Sequence, residues 1–156
     1  MFGTVSEEME VQVPASEAWK LYSTHSLIKF VEEKLSNVIH KIEILEGDGG
    51  AGSILKVSLP PGSGGFASYK EKLTKCDDEK RLKEAEVIEG AFLDVGFTLY
   101  RVRFEVIEKS ESSCITKYTI EYEVKEEAAA NASMVSVQPL VTIMGVAADH
   151  LIKNKK

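Results

Sequence analysis

The chain predicts an α+β fold, a strongly curved antiparallel sheet of seven strands covered by one long C-terminal helix, on the strength of three observations. An opening strand with one wet face stops at a proline and is followed by two short helical stretches. Residues 38–124 then read as runs rich in Val, Ile, Tyr and Phe, cut by turn signals into a meander of about six strands. The last segment changes to a helical period.

Each element has its own warrant. In the first strand Val5, Met9, Val11 and Val13 alternate with Glu8, Glu10 and Gln12 until Pro14, which cannot continue a central strand. Pro14 or Ser16 starts a short helix carrying Tyr22 and Trp19, the latter read as a core anchor. Ser26 is the expected N-cap of a second helix, Leu27 to Leu35. The later strands are separated by Gly47-Asp48-Gly49-Gly50, Pro60-Pro61-Gly62, Asp77-Asp78 and Ser110 to Ser113. The glycine-rich stretch lacks the Gly-Lys-Ser/Thr ending of a phosphate loop and joins strand to strand, so it reads as a tight turn. After Glu126 and Glu127, the residues Val137, Leu140, Val141, Met144, Ala148 and Leu151 keep the spacing of a long amphipathic helix. Acidic residues at its start and Lys153, Lys155 and Lys156 at its end suit the helix dipole. Pro139 is expected to kink it, loosening its fit over the sheet enough to leave a cavity.

Composition narrows the function. With 156 residues and no linker, repeat or low-complexity tract, residues 1–156 read as one domain. A formal net charge of -6 offers no basic stripe for phosphates, which argues against nucleic acid and against anionic membranes. Met1-Phe2-Gly3-Thr4 is not the start of a secretory signal, and no apolar run reaches the ~18 residues of a spanning helix. Cys76 and Cys114 sit on separate strands without ligand spacing, and His25, His40 and His150 are scattered. The expectation is a cytoplasmic protein with free thiols, no metal and no cofactor.

Two charges stand out against this background. Alternation puts Ala67, Tyr69, Glu71 and Leu73 on one face of a strand and Ser68, Lys70 and Lys72 on the other, while Lys83 keeps phase with Ala85 and Val87 on the next strand. A carboxylate and an amine in a low-dielectric cavity move toward neutral pKa values, as a general base and a general acid require. The pattern alone leaves open that one strand is an edge or is offset by a residue, which places these charges in solvent. The same parity assigns Tyr100, Val102 and Phe104, and on the next strand Tyr118, Ile120 and Tyr122, to the cavity wall, with Leu140 and Met144 facing them from the helix. For each of these, ordinary core packing is the competing reading.

Glu46-Gly47-Asp48-Gly49-Gly50-Ala51-Gly52-Ser53 resembles the glycine-rich loop of the plant pathogenesis-related class ten proteins, the Bet v 1-like superfamily. Tyr69-Lys70-Glu71-Lys72, Glu79-Lys80-Arg81-Leu82-Lys83 and Val87-Ile88-Glu89-Gly90-Ala91-Phe92-Leu93-Asp94-Val95-Gly96 are similar to segments of its norcoclaurine synthase branch. The stretch from Glu79 to Ala85, the strand Arg103-Phe104-Glu105-Val106 and Ala129-Ala130-Asn131-Ala132-Ser133 resemble the norbelladine synthases of that branch. The resemblance covers essentially the whole chain and implies a helix-grip (START-type) fold around a hydrophobic cavity. It implies condensation of an arylethylamine, tyramine or dopamine, with an aryl aldehyde through an imine or iminium. It carries the catalytic tyrosine, glutamate and lysine onto Tyr69, Glu71 and Lys83, but places Val102 where norcoclaurine synthases have an aspartate. Imine formation is therefore better supported than ring closure of the Pictet-Spengler type. A monomer or weak dimer, and a downstream reductase acting on a released imine, complete that expectation. The alternative within the superfamily is a non-catalytic carrier of hydrophobic ligands or a hormone-binding defence protein, for which the cavity suffices and the Lys83 and Glu71 pair is unnecessary.

Overall fold

The computed structural model describes residues 1–61 and 66–154. Strand β1 (Phe2–Val11) leads into helices α1 (Ala15–Tyr22) and α2 (Thr24–Lys34), and strands β2 (Lys41–Glu46), β3 (Ile54–Ser58), β4 (Ser68–Asp77), β5 (Leu82–Gly90), β6 (Phe97–Ser110) and β7 (Ser113–Val124) follow. A 3₁₀ segment (Ala91–Val95) separates β5 from β6, and a second (Glu126–Met134) precedes helix α3 (Gln138–Lys153). The strands form one antiparallel sheet in the order β1-β7-β6-β5-β4-β3-β2. This is the helix-grip arrangement that the sequence predicts, and β4 and β5 are interior strands.

Apolar spacing explains how the helices dock. Ala15, Ala18, Trp19 and Tyr22 fall on one stripe of α1 and are buried, and Ile143, Met144 and Ala147 are buried from α3. They meet Phe104, Val106, Cys114 and Tyr118 in one core cluster. A second cluster, with Val87, Phe97, Tyr100, Ile120 and Val124, is covered by the 3₁₀ segments. Register shifts between β4 and β5 at Lys70/Glu71 and at Leu73/Lys75 bend the sheet. On the convex face Glu84, only 4% exposed, accepts from Thr74 and Arg103, and Arg103 also donates to Glu121.

Three expectations about the helices need correction. Helix α2 starts at Thr24 rather than after Ser26. Extended backbone at Ser23 (ψ 148°) separates it from α1, and Thr24 Oγ1 donates to the Gly49 carbonyl (2.6 Å), tying its first turn to the glycine-rich turn. The long C-terminal helix does not run from Glu126: the segment Glu126–Met134 is 3₁₀, and Val135 is extended. Pro139 lies in the first turn of α3, where its missing N–H costs nothing, and it does not kink the helix. A continuous helix would push the Pro139 ring against the Val135 carbonyl, so the chain breaks before it. Glu126–Lys153 span 28 residues and contain an 18-residue window of mean hydropathy 1.4, enough by length and composition for a membrane span, which the sequence reading did not expect. In this fold the stretch is divided, and α3 lies on the sheet. Gly62 of the second predicted turn, and Lys155 and Lys156, lie outside the described residues.

Candidate active site

Two adjoining chambers lie between the concave face of the sheet, α2 and α3. The inner chamber, about 130 Å³, is walled by Leu27 and Val31 of α2, Leu55 of β3, and Ile143 of α3, and it contains Tyr69, Glu71 and Lys83. The outer chamber, about 580 Å³, is bounded by Phe66, Phe92, Tyr100, Met134, Gln138 and Pro139. Ile39, Tyr69, Val102, Leu140 and Ile143 stand on the wall of both. Tyr69 and Val102 thus belong to the wall that the two chambers share.

Strand geometry delivers the polar groups. Tyr69, Glu71 and Leu73 point inward from β4, and β5 turns Lys83 and Ala85 to the same side. The pairs Lys83↔Phe104 and Ala85↔Val102 continue the wall onto β6. Among the described residues no donor hydrogen-bonds the Glu71 carboxylate, so burial raises its pKa to about 7, and the Lys83 charge only partly opposes this. Burial lowers Lys83 to about 8, against the Cys76 and Glu71 charges that favour the ammonium. Lys83 Nζ donates to the Tyr22 carbonyl at 2.6 Å, a group that the end of α1 leaves without a helical partner. Burial, and secondarily Glu71, push the Tyr69, Tyr100 and Tyr118 phenols upward, so all three stay neutral donors near pH 7.

The positions read from sequence divide accordingly. Tyr69, Glu71, Lys83, Val102, Phe104, Tyr118 and Leu140 line the inner chamber, and Tyr100 lines the outer one. Met144 does not line the cavity: it is 1% exposed and packs in the core. At about 100° per residue, Ile143 rather than Met144 completes the inner wall beside Leu140. Ile120 is fully buried, and Tyr122 packs against Phe97. Neither reaches the cavity, because the second 3₁₀ segment covers that end of the sheet. Sequence reasoning missed Thr24, Leu27, Ile28 and Val31 of α2 and Phe92, which stacks on Tyr100 at 3.9 Å. The signal for α2 was its apolar spacing. Among the described residues no three His, Cys, Asp or Glu side chains gather to hold a metal.

The profile of the pathogenesis-related Bet v 1 family matches residues 1–154. The chain belongs to that family. This member of the Bet v 1 family is 46% identical to the norbelladine synthase of Narcissus pseudonarcissus over 99% of its own length and 95% of the relative's. It is 37% identical to S-norcoclaurine synthase 2 of Papaver somniferum over 95% of its length, but spans 64% of that longer enzyme. Among solved structures, a Thalictrum flavum norcoclaurine synthase point mutant in complex with a transition-state analogue superposes with a TM-score of 0.90 at 33% identity, covering 100% of this chain and 98% of that one. The same plant's enzyme in complex with dopamine and hydroxybenzaldehyde gives 0.86 at 34% identity, with 100% and 89% covered.

Proposed function

We propose that this protein condenses an arylethylamine, tyramine or dopamine, with an aryl aldehyde, and that the open imine is its principal product. The observation that carries the reading is the placement of Glu71 and Lys83 in one water-poor chamber with pKa values near 7 and 8. The names of the Narcissus and Papaver relatives and the ligands of the Thalictrum enzyme support it.

In this mechanism the amine nitrogen adds to the aldehyde carbon, and the Lys83 ammonium protonates the carbinolamine oxygen. The C–O bond then breaks, water leaves, and an iminium remains. Expulsion of water from an apolar chamber favours this direction. The Glu71 carboxylate takes the N–H proton to give the imine, or takes the ring proton when an activated aryl carbon attacks the iminium. Tyr69, on the wall shared by the chambers, positions a substrate phenol or the Glu71 carboxylate. Tyr100, Phe104, Tyr118 and Leu140 supply apolar and aromatic wall for the two rings. Among the described residues Glu71 is the only carboxylate on the inner wall, and Val102 adds none, so a cationic iminium is poorly held and is released as imine before the ring closes. Val102→Asp is expected to raise cyclised product from dopamine at least severalfold, measured by chromatography, and unchanged cyclisation counts against this account of Val102.

The reading takes residues 1–156 as one working domain, monomer or weak dimer, located in the cytosol, where its two free cysteines stay reduced. A released imine hydrolyses readily, which assigns its consumption to a downstream reductase. The test is turnover of tyramine or dopamine with a panel of aryl aldehydes, with and without borohydride, in wild type, Lys83→Ala and Glu71→Ala. Product that falls at least tenfold in Lys83→Ala is expected, with borohydride trapping the imine. The volume of the outer chamber favours one competing reading, a passive carrier of hydrophobic ligands. Equal traces from all three proteins, with ligand still bound, decide for the carrier.

A further inference from the structure

Resting on that reading, we propose that Trp19 and Asp78 are positioning residues for Lys83: their hydrogen bond locks α1 onto the β4–β5 turn and so fixes the carbonyl that orients the Lys83 side chain. The lysine stem is long and flexible, and its strand places only the Cα. Among the described residues Nζ makes one hydrogen bond, to the Tyr22 carbonyl at 2.6 Å, and this fixes it in space. That acceptor belongs to the C-terminal end of α1, so the ammonium stands wherever this helix end stands.

An isolated helix of eight residues is not stable, and its position is set by what it touches. Trp19 Nε1 donates to Asp78 Oδ1 at 2.9 Å. Among the described residues this is the one hydrogen bond that a side chain of α1 donates to the β4–β5 hairpin. Trp19 is 8% exposed and held in the core, whereas Asp78 is an exposed residue of the turn between β4 and β5. The same turn is set by Asp77 Oδ1, which accepts from the Glu79 and Lys80 amides at 3.0 Å. The hairpin that carries Glu71 and Lys83 therefore grips α1 twice, once through Asp78 and once through Lys83. Tyr22 completes the frame, because its ring stacks on Phe104 of the inner chamber at 3.9 Å.

The groups facing Lys83 are few. Glu71 and Cys76 of β4 are its titratable neighbours, β6 places Phe104 opposite it, and α1 supplies only the carbonyl. Asp78 does not act directly on Lys83, but its charge acts on Cys76, which pairs with Lys83 across the hairpin. Asp78→Asn, which removes the charge and keeps an acceptor, therefore separates that route from the one through α1.

The experiment follows the Lys83 side chain by NMR titration of labelled lysine, assigned with Lys83→Met, in the whole protein carrying Asp78→Ala, Asp78→Asn or Trp19→Phe. Imine formation is followed in parallel. Asp78→Ala and Trp19→Phe are expected to move the Lys83 titration to lower pH, because the ammonium loses a well-placed acceptor. They are expected to reduce kcat roughly three- to tenfold with KM little changed, as mispositioning of a general acid does. Asp78→Asn keeps an acceptor oxygen and is expected to restore both. An unmoved Lys83 titration in Asp78→Ala, or an Asp78→Asn that behaves like alanine, overturns the proposal. Absence of turnover in wild type overturns the reaction and leaves the titration to decide the positioning.

Discussion

Glu71 and Lys83 approach each other on the pH scale from opposite ends, and burial is the first cause for both. With an ionised Glu71 and a protonated Lys83 both required, kcat/KM is expected to rise through about pH 7 and fall through about pH 8. Residual activity of Lys83→Met should rise only at higher pH, since Glu71 loses the positive charge that restrains it. A flat profile between pH 6 and 9 counts against the pair. The same burial carries a stability cost whose sign differs from that of an ordinary salt-bridged carboxylate. The folded-state pKa of Glu71 lies above its unfolded value of 4.5, so its contribution to stability is fully present below pH 4.5 and is lost as pH rises through about 7. Glu71→Gln is therefore expected to raise the Tm at pH 8, by the equivalent of roughly 1–3 kcal/mol, and to give no gain at pH 4. Calorimetry at the two pH values checks this, and an equal shift at both excludes titration of Glu71 as the cause.

At the scale of elements, β4 and β5 show why this pair was legible in the sequence. Alternation puts Tyr69, Glu71 and Leu73 on one face, the interior position of both strands removes the edge-strand alternative, and the cavity lies on that face. The Tyr22 carbonyl was not legible, because it depends on where a short helix comes to rest. Met144 and Ile143 are adjacent on α3, and only packing decides which of them meets the cavity. The start of α3 departs from the expectation for a local reason: Pro139 sits in the first turn and not in the helix interior. The two placements predict different outcomes for Pro139→Ala. In a helix interior the substitution relieves about 3 kcal/mol, whereas in the first turn the Tm is expected to stay within about 2 °C of wild type. Thermal melting followed by circular dichroism separates them.

For the molecule as a whole, the cavity is a trade between stability and use. Apolar walls facing unfilled space forgo dispersion contacts that a packed core would have, and the sheet and α3 keep that space open at the one place where Glu71 and Lys83 converge. Filling it from the helix side should reverse both terms. Leu140 stands on the wall of both chambers, and it is only partly buried, so a larger side chain there has room to turn into the cavity. Leu140→Trp is expected to raise the Tm of the free protein by a few degrees, as added apolar contact does in a chain of this size. In wild type, an arylethylamine or aryl aldehyde at 100 times its Kd is expected to add about 2.7 kcal/mol of apparent stability. In Leu140→Trp that ligand-dependent shift should vanish, because the indole occupies the same volume, and turnover should fall with it. A variant that gains stability yet keeps the full ligand shift would show that the ligands bind elsewhere, and the proposed use of the two chambers would fall with that result.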